Sequence, residues 1–460
     1  MRRSTGASPS RGRSPARFAR RVILIGVAAA GLLVGQARAQ DDPQMLRDAE
    51  IETDLIAFEA PVYRAAGLDI AALHIYLVND MALNSFVAGG QNIFMNVGTI
   101  MRAERPNQLI GIMAHETGHI AGGHIARSED AMRKATYEGL AAMVLGAAMA
   151  AVSGGAAGAA LLGASGVAQN AWLQYSIEQE ARADQAALTF LDRTHQSAQG
   201  LLDFFLILQQ QEFLTGQQEI PYLRTHPLTE QRVDYMREHV ERSPYSKNTD
   251  PPDQVAMLKR MKAKLDGFLQ PPEQTLNEFP DSDQSLTARY ARAIAYYRIP
   301  DLGRAVPAID SLIHDYPNDP YFAELKGQML FENGRIAEAV APYARSSKLD
   351  PGSMLLRTEL AQVQIESGDP KLLNSARANL EEVVRNEVQN PEAWRLLAIA
   401  YGRAGNMGMA ALALAEQGSS KGDVQMARGE ALHALKLLPG GTARQRAQDI
   451  ADEAKRNLDK

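Results

Sequence analysis

Apolar residues follow two different spacings in the first half of the chain, and each spacing predicts a different element. In NSFVAGGQNIFMNVGTI (84–100), apolar and polar positions alternate on both sides of a Gly-Gly pair, which predicts a β-hairpin. QLIGIMA (108–114) is apolar enough to seat a helix in the core, and YSIEQEARADQAALTFL (175–191) has apolar residues at helical spacing. We therefore expect residues 40–242 to form an α+β domain that is mainly helical and contains a small sheet.

The second half of the chain repeats one helical pattern. PYFAELKGQMLFENGRIAEAVAPYARSSKLDP (320–351) predicts two helices joined by an Asn-Gly turn, and similar stretches precede and follow it. Pro317 and Pro351 lie 34 residues apart, the period of a tetratricopeptide helix pair. We predict an α-solenoid of these repeats over 284–460, with an irregular helical bundle as the alternative. Such stacks present a concave surface that usually holds a partner protein.

The two halves are joined by a polar, proline-containing stretch. SPYSKNTDPPDQ (243–254) is typical of a linker, and a charged helix follows it and ends at QPPEQ. We expect a linker and connecting helix over 243–283.

The first 39 residues differ from the rest of the chain in charge. They contain eight Arg and no Asp or Glu, and an apolar run of thirteen residues (22–34) precedes a small-x-small pattern at 37–39. These features predict a secretory signal peptide cut before Gln40. The alternative is an uncleaved anchor helix, although thirteen apolar residues are short for a bilayer.

Charge and cysteine content narrow the possible partners and sites. Without residues 1–39 the chain has 40 basic and 54 acidic residues, a net charge of −14, which disfavours binding to nucleic acid. The chain has no Cys, so a disulfide framework is excluded and a zinc ion would need His and carboxylate ligands.

One short motif carries the candidate chemistry. His115-Glu116-Thr117-Gly118-His119 matches H-E-x-x-H. Four residues turn a helix through about 400°, so both histidines share one face and could bind one Zn²⁺. Glu116 lies beside them, placed to move a proton between water and the leaving amine. The alternative is a buried helix with two hydrogen-bonded histidines.

His124 is a candidate third ligand that we expect to lie outside the metal coordination. Metzincin proteases place a third histidine six residues after the second, whereas His124 follows His119 by five. On a continuous helix His124 would point about 140° away from His119. If Gly122-Gly123 break the helix, the reach of His124 is one residue short of the metzincin pattern.

A second helix offers the carboxylate that the motif lacks. Glu180 and Asp184 lie four residues apart on one face of the predicted helix 175–191. Glu180 would complete a His₂Glu zinc site with an open fourth position, and Asp184 would accept an N–H from a ligating imidazole. A solvated acidic helix face is the alternative.

H-E-x-x-H followed by Y-S-x-x-x-E-x-x-A-D resembles the zinc metallopeptidase family of the CAAX prenyl proteases and the heat-shock protease HtpX. The resemblance implies a zincin-type endopeptidase domain with one zinc ion per chain. It implies His115, His119 and Glu180 as ligands, Glu116 as the catalytic carboxylate and Asp184 behind the ligands.

The same resemblance implies two further site elements. The edge of the predicted hairpin would take the substrate as an added strand. The residues concerned are Asn84, Ser85, Phe86 and Val87. RTHPLTEQRVDYMRE (224–238) resembles the family's T-H-P loop, so His226 would either donate to the oxyanion or bind the metal and hold the enzyme inactive, assisted by Arg232. Alternatively, this stretch is a turn into a helix capped by Thr229.

The Ala- and Gly-rich stretch 139–169 is long enough to span a bilayer but weakly hydrophobic, so we expect helical arms that could touch lipid.

The sequence thus predicts a zinc endopeptidase of the periplasm, in a Gram-negative-type cell, that degrades unfolded or misassembled envelope proteins. Its repeats would bind clients or the outer-membrane assembly machinery, and nucleic acid is not an expected partner. The competing hypothesis is an assembly chaperone or scaffold in which proteolysis is latent.

Overall fold

The computed structural model describes residues 45–124, 176–215 and 220–459. The predicted signal peptide (1–39) and the Ala- and Gly-rich stretch (139–169) lie outside these residues. Within the described residues, no helix combines the length and the apolar character needed to cross a membrane.

A small sheet lies near the start of the first domain. Its strands are β1 (Met45–Leu46), β2 (His74–Val78), β3 (Ser85–Ala88) and β4 (Asn92–Asn96), in the order β1-β2-β4-β3. β2 and β4 are parallel, whereas β3 and β4 are antiparallel and pair Phe86 with Phe94. The predicted hairpin is therefore confirmed, and its turn contains Gly89 and Gly90 at φ of 58° and 100°, where glycine avoids a steric penalty. β3 forms one edge of the sheet.

Seven helices complete this part of the described chain. They are α1 (Ala49–Ala65), α2 (Val97–Arg102), α3 (Pro106–Ala121), α4 (176–193), α5 (Gln199–Thr215), α6 (Pro221–Thr225) and α7 (Glu230–Arg242). Apolar residues of α1, α3, α4, α5 and the sheet form one core, in which Leu55, Phe58, Ile93, Leu109 and Phe205 are fully buried. The α+β class predicted from sequence is confirmed.

The helix that carries the H-E-x-x-H motif is fixed at its beginning. Pro106 occupies the first turn, where its missing N–H costs no hydrogen bond. The Gln108 side chain accepts a hydrogen bond from the backbone N–H of Glu104 at 2.6 Å. Most of α3 is buried, so the histidines sit on a helix held on nearly every side.

The repeats form a stack of antiparallel helices. Two helices precede them, α8 (Pro252–Leu269) and α9 (Pro272–Glu278), and the repeat helices are α10 (Leu286–Arg298), α11 (Leu302–Asp315), α12 (Pro320–Glu332), α13 (Ile336–Leu349), α14 (Met354–Glu366), α15 (Pro370–Asn386), α16 (Pro391–Arg403), α17 (Met407–Ser420), α18 (Val424–Leu437) and α19 (Thr442–Leu458). Small apolar residues pack each helix on its neighbours, as in the cluster of Ala411, Ala415, Ala427 and Ala431. The predicted tetratricopeptide architecture is confirmed.

The stretch expected to be a linker is attached to the first domain. The backbone N–H of Asn107 donates to Asp250, the Ser197 hydroxyl donates to the carbonyl of Ser246, and the Asn248 amide donates to the carbonyl of His195. These bonds hold the chain against the ends of α3 and α5.

The helix expected to be a connector, α8, belongs to the core of the first domain. Its Leu258, Met261 and Leu265 are buried in the same cluster as α1 and α3. The opposite side of α8 packs on the repeats, where Gly267 meets Ile294 so closely that a Cβ would lie 2.9 Å from the isoleucine side chain. Two of the charges predicted on this helix, Arg260 and Lys264, pair with carboxylates from distant segments.

Candidate metal centre

The two histidines of the motif meet on the inner face of α3. His115 is fully buried and His119 is 9% exposed, and their Nε2 atoms lie 3.1 Å apart. This is the geometry expected of residues four apart on one helix. Both nitrogens point to the same space.

A carboxylate from α4 enters that space. Glu180 Oε2 lies 3.3 Å from His115 Nε2, and Glu180 Oε1 lies 3.3 Å from His119 Nε2. The helices can approach this closely because Gly118 faces Ala183, and a Cβ on Gly118 would lie 2.7 Å from the Ala183 carbonyl oxygen. A side chain at position 118 would push the carboxylate away from the histidines.

Asp184, the second carboxylate of α4, contacts the side of the His115 imidazole that faces away from the cluster. Asp184 Oδ1 lies 2.9 Å from His115 Nδ1, so His115 Nε2 is left to face the cluster. Arg232 donates to both Asp184 oxygens at 2.6 and 2.9 Å and lies 3.0 Å from Glu180 Oε2. Arg232 is itself held by the Pro227 carbonyl and by the Phe205 ring. Both carboxylates are therefore fixed in orientation before any ligand binds.

His226 joins the cluster from the turn after α6. One ligand atom each from His115, His119, Glu180 and His226 lie within 4.8 Å of one another, and all four residues are buried. His226 Nδ1 lies 3.1 Å from Glu180 Oε1, and its Nε2 lies 3.8 Å from Glu116 Oε1. The turn also leads into α7, whose cap is Thr229 accepting the Arg232 backbone N–H. The capped helix and a chemical position for His226 therefore coexist.

His124 lies behind the cluster. Its Nδ1 is 3.0 Å from Nδ1 of His119, so it contacts the imidazole edge opposite to the one that faces Glu180. Of the two alternatives for this segment, the break is the one observed, because α3 ends at Ala121 and Gly123 adopts a φ of 60°. A Cβ on Gly122 would lie 2.3 Å from His124 Nε2, so the glycine leaves room for the ring.

Charges in the cluster are those of a cation site. Burial alone lowers the pKa of His115, but Asp184 and Glu180 outweigh burial and raise it to about 9. Burial lowers the pKa of His119 to about 3. Burial alone would raise the pKa of the Glu180 carboxyl. His226 and the other imidazoles outweigh burial and hold this pKa well below its usual range. The carboxylates of the site thus favour a positive charge among the imidazoles.

The donor atoms fit a divalent metal ion. Two imidazole nitrogens and one carboxylate are the ligands that zinc takes in metallopeptidases, and no sulfur is present. Both Glu116 oxygens and His226 Nε2 are buried without a hydrogen-bond partner among the described residues. Burial raises the pKa of Glu116, which suits a group that takes and returns a proton.

Comparison with known proteins agrees with this geometry. Residues 50–240 match the model of peptidase family M48, and residues 290–353 match a tetratricopeptide repeat. The first domain belongs to peptidase family M48. The protein is therefore a metalloprotease with repeats that follow its M48 domain.

Relatives share both parts. The beta-barrel assembly-enhancing protease of Escherichia coli (strain K12) is 25% identical over 351 residues, which are 75% of this chain and 70% of the relative. The protein of the same name from Yersinia pestis is 24% identical over 396 residues, 84% of this chain and 79% of the relative. Among solved structures, YrrB, a tetratricopeptide repeat protein with an unusual peptide-binding site, is 18% identical with a TM-score of 0.32, over 40% of this chain and 94% of YrrB.

The edge strand of the M48 domain only partly fits the predicted substrate strand. Ser85, Phe86 and Val87 lie on β3, but Asn84 precedes it. The Asn84 N–H donates to the Thr99 hydroxyl, and its carbonyl accepts from both Thr99 and Asn96, so its backbone is not available to a substrate. Thr99 lies far enough along the sequence that the hairpin pattern did not show this contact.

The hydrogen-bond alternation identifies the available positions of β3. Because Asn96 donates to Asn84, the hydrogen-bonding positions of this antiparallel pair are 84, 86 and 88. The N–H and C=O groups of Ser85 and Val87 therefore point away from β4. Ser85 is fully buried, so Val87, which is partly exposed, is the more accessible of the two.

Two residues of the site were not found from sequence. Glu59 of α1 is fully buried and accepts the Thr117 hydroxyl at 2.6 Å, and burial raises its pKa well above the usual range. Tyr222 stacks on His226 with ring centroids 4.6 Å apart. The Y-x-x-x-H spacing of Tyr222 and His226 was a usable signal, whereas a single Glu in α1 carried none.

Proposed function

We propose that this metalloprotease is a zinc-dependent endopeptidase of the periplasm that cleaves unfolded or misassembled envelope proteins. The observation that carries the proposal is the convergence of His115, His119 and Glu180. Next to them in α3, the oxygens of Glu116 have no hydrogen-bond partner among the described residues. The names of the relatives support a role in outer-membrane protein assembly. The predicted signal peptide supports export.

The residues divide the work of peptide hydrolysis. A bound zinc ion would polarise the scissile carbonyl and acidify the attacking water. His115, His119 and Glu180 would hold that ion, and Asp184 and Arg232 would fix the orientation of its ligands. Glu116 accepts the proton of the attacking water and passes it to the leaving amine, a transfer favoured by its raised pKa. Ser85 and Val87 would bind the substrate as an added strand.

Two roles of His226 fit its position, one that would increase cleavage and one that would decrease it. Its Nε2 lies near Glu116, where it could donate to the developing oxyanion. It also offers a nitrogen within the ring of ligand atoms, where it could occupy the fourth metal position and keep the enzyme inactive. Replacing His226 with Asn should lower cleavage in the first case and raise it in the second.

An inhibitory role of His226 would favour the chaperone or scaffold function. If His226 keeps the site closed, the protein acts mainly as an assembly chaperone or scaffold, and its repeats bind the client or the assembly machinery. The repeat fold supports protein binding in both cases.

The variant Glu116→Gln tests the proposal. It should keep one zinc ion per chain by metal analysis and lower kcat on a misfolded outer-membrane protein by about 10²–10⁴-fold, because the ligands remain while the proton acceptor is lost. Unchanged cleavage would exclude the mechanism. If cleavage is lost but cells rely on the variant as on the wild type, the scaffold function is the relevant one.

A further inference from the structure

The hydroxyl of Tyr222 is a buried polar group without an assigned role. The side chain is 1% exposed, and its hydroxyl has no hydrogen-bond partner among the described residues. Buried tyrosines normally pair this group, because an unpaired hydroxyl in the interior costs free energy. Unpaired buried groups are a feature of sites that bind a ligand or a transition state.

Tyr222 is held firmly in place. Its ring lies against His226 at 4.6 Å between centroids with 27° between the planes. The Phe204 ring packs edge-to-face with the Tyr222 ring, with 5.3 Å between centroids and 85° between planes. The backbone N–H of His226 donates to the Tyr222 carbonyl at 2.8 Å, so the two residues are fixed to each other through backbone and side chain.

The ring that carries this hydroxyl lies beside the reacting groups. It stacks on His226, whose Nε2 lies 3.8 Å from Glu116 Oε1. A phenol hydroxyl donates a hydrogen bond when it meets an anionic oxygen. Other buried atoms of the site that lack a hydrogen-bond partner among the described residues include the Glu116 oxygens and His226 Nε2.

We infer that Tyr222 is a further catalytic residue of the M48 site, which donates a hydrogen bond to the substrate carbonyl oxygen as that oxygen gains negative charge. No proton is transferred from the tyrosine in this step. Its ring also positions the imidazole of His226. The inference rests on the proposed function, since it concerns the same peptide-hydrolysis site.

A donor that acts mainly in the transition state has a kinetic signature. Removing it lowers kcat and leaves KM nearly unchanged, because the ground-state substrate does not use the bond. Loss of one preorganised donor to an oxyanion typically lowers kcat by about 10²–10³-fold. A residue needed only for folding would instead lower stability, zinc content and activity together.

The test uses the full-length, zinc-loaded protein and an unfolded protein substrate, reduced and carboxymethylated lactalbumin. Tyr222→Phe keeps the ring and removes the hydroxyl. We expect kcat to fall by about 10²-fold or more, KM to stay within about twofold, zinc to remain at one per chain and Tm not to fall. Tyr343→Phe, which alters a buried tyrosine of the repeats, is the matched control and should leave cleavage unchanged.

A transition-state mimic gives an independent measurement. A phosphonamidate peptide carries its negative oxygens where the carbonyl oxygen would be charged, so Tyr222→Phe should raise its Ki by the same factor by which kcat/KM falls. A kcat within about twofold of wild type, or a fall in kcat that tracks lost zinc or a lowered Tm, overturns the inference. If wild type cleaves and Glu116→Gln does not, a failure of the tyrosine result leaves the proposed function intact. If wild type itself shows no zinc-dependent cleavage, both proposals are wrong.

Discussion

Lys264 and Glu50 form a buried ion pair, with 3.2 Å between Nζ and Oε2, where the M48 domain meets the repeats. Lys264 also lies 2.7 Å from Asp48, and Arg260 on the same helix pairs with Glu50 and with Asp319 of the repeats. Two cations on α8 thus connect carboxylates from both parts of the chain.

Replacing Lys264 with Met should destabilise the whole protein. The change leaves Asp48 and Glu50 with less positive charge in a buried place, and breaking one partner of a buried pair costs about 3–5 kcal/mol. The measurement is the free energy of unfolding from urea titration. Lys326→Met removes the partly exposed pair with Asp310 and should cost about 1 kcal/mol or less. Equal losses in the two variants would show that the buried junction contributes no more than a surface pair.

Stability should fall as the pH rises toward 8. Burial and the charge of Glu50 raise the pKa of Asp54 to about 7, and burial followed by the neighbouring carboxylates raises the pKa of Glu324 to about 7 in spite of Lys264. Both values exceed the unfolded values of about 4. Each group therefore contributes stability that is fully present below about pH 4 and is lost as the pH rises through about 7, at up to about 1.4 kcal/mol per pH unit.

The variant Asp54→Asn with Glu324→Gln should flatten that dependence. Groups of the metal site titrate equally in both proteins, so the difference in slope between pH 5 and 8 reports the junction. Unfolding free energies that fall with pH to the same extent in wild type and variant would contradict the assignment.

Metal content should distinguish the two candidate third ligands. Glu180→Ala should lose or greatly weaken the one zinc ion per chain, since two imidazoles alone hold it poorly. His124→Ala should retain the ion, with affinity lowered about 10–100-fold by loss of its contact with His119. Zinc measured by mass spectrometry after dialysis against a weak chelator would show the ranking. The opposite ranking would make His124 the ligand.

The outward-facing backbone of β3 can be tested with proline. Val87→Pro removes an N–H that points to the open edge, where proline is tolerated in an edge strand. We expect KM for an unfolded protein substrate to rise about 5–10-fold, the equivalent of one lost hydrogen bond. Val87→Ala shortens the side chain but keeps the N–H, so its KM should stay near wild type. If both variants bind substrate equally, the strand does not pair with it.

The sequence predicted those site residues whose relationship is local. Two histidines four apart on a helix and two carboxylates four apart on another define faces without knowledge of the tertiary fold. The close contact of Gly118 with Ala183, which brings these faces together, could not be predicted from periodicity. The position of His124 depends on where α3 ends. From sequence, Gly122-Gly123 allowed the helix either to end there or to continue.

Long-range pairing explains what the sequence did not show. The helix α8 resembles an exposed connector because Lys and Arg interrupt its apolar residues, and its partner Asp48 lies 216 residues away. The sequence likewise did not distinguish Tyr222 from a core tyrosine, because its stacking on His226 appears only in the fold.

Because α8 completes the core of the M48 domain and also starts the packing of the repeats, the repeats begin on a helix of the M48 core and not on a free linker. If the repeats bind clients as proposed, a client held at a given repeat would lie at a set distance from the candidate metal site. The position of cleavage would then depend on where the client binds the repeats more than on the residues around the cleaved bond. Moving the bound element along a client by a few residues should displace the cut by the same number.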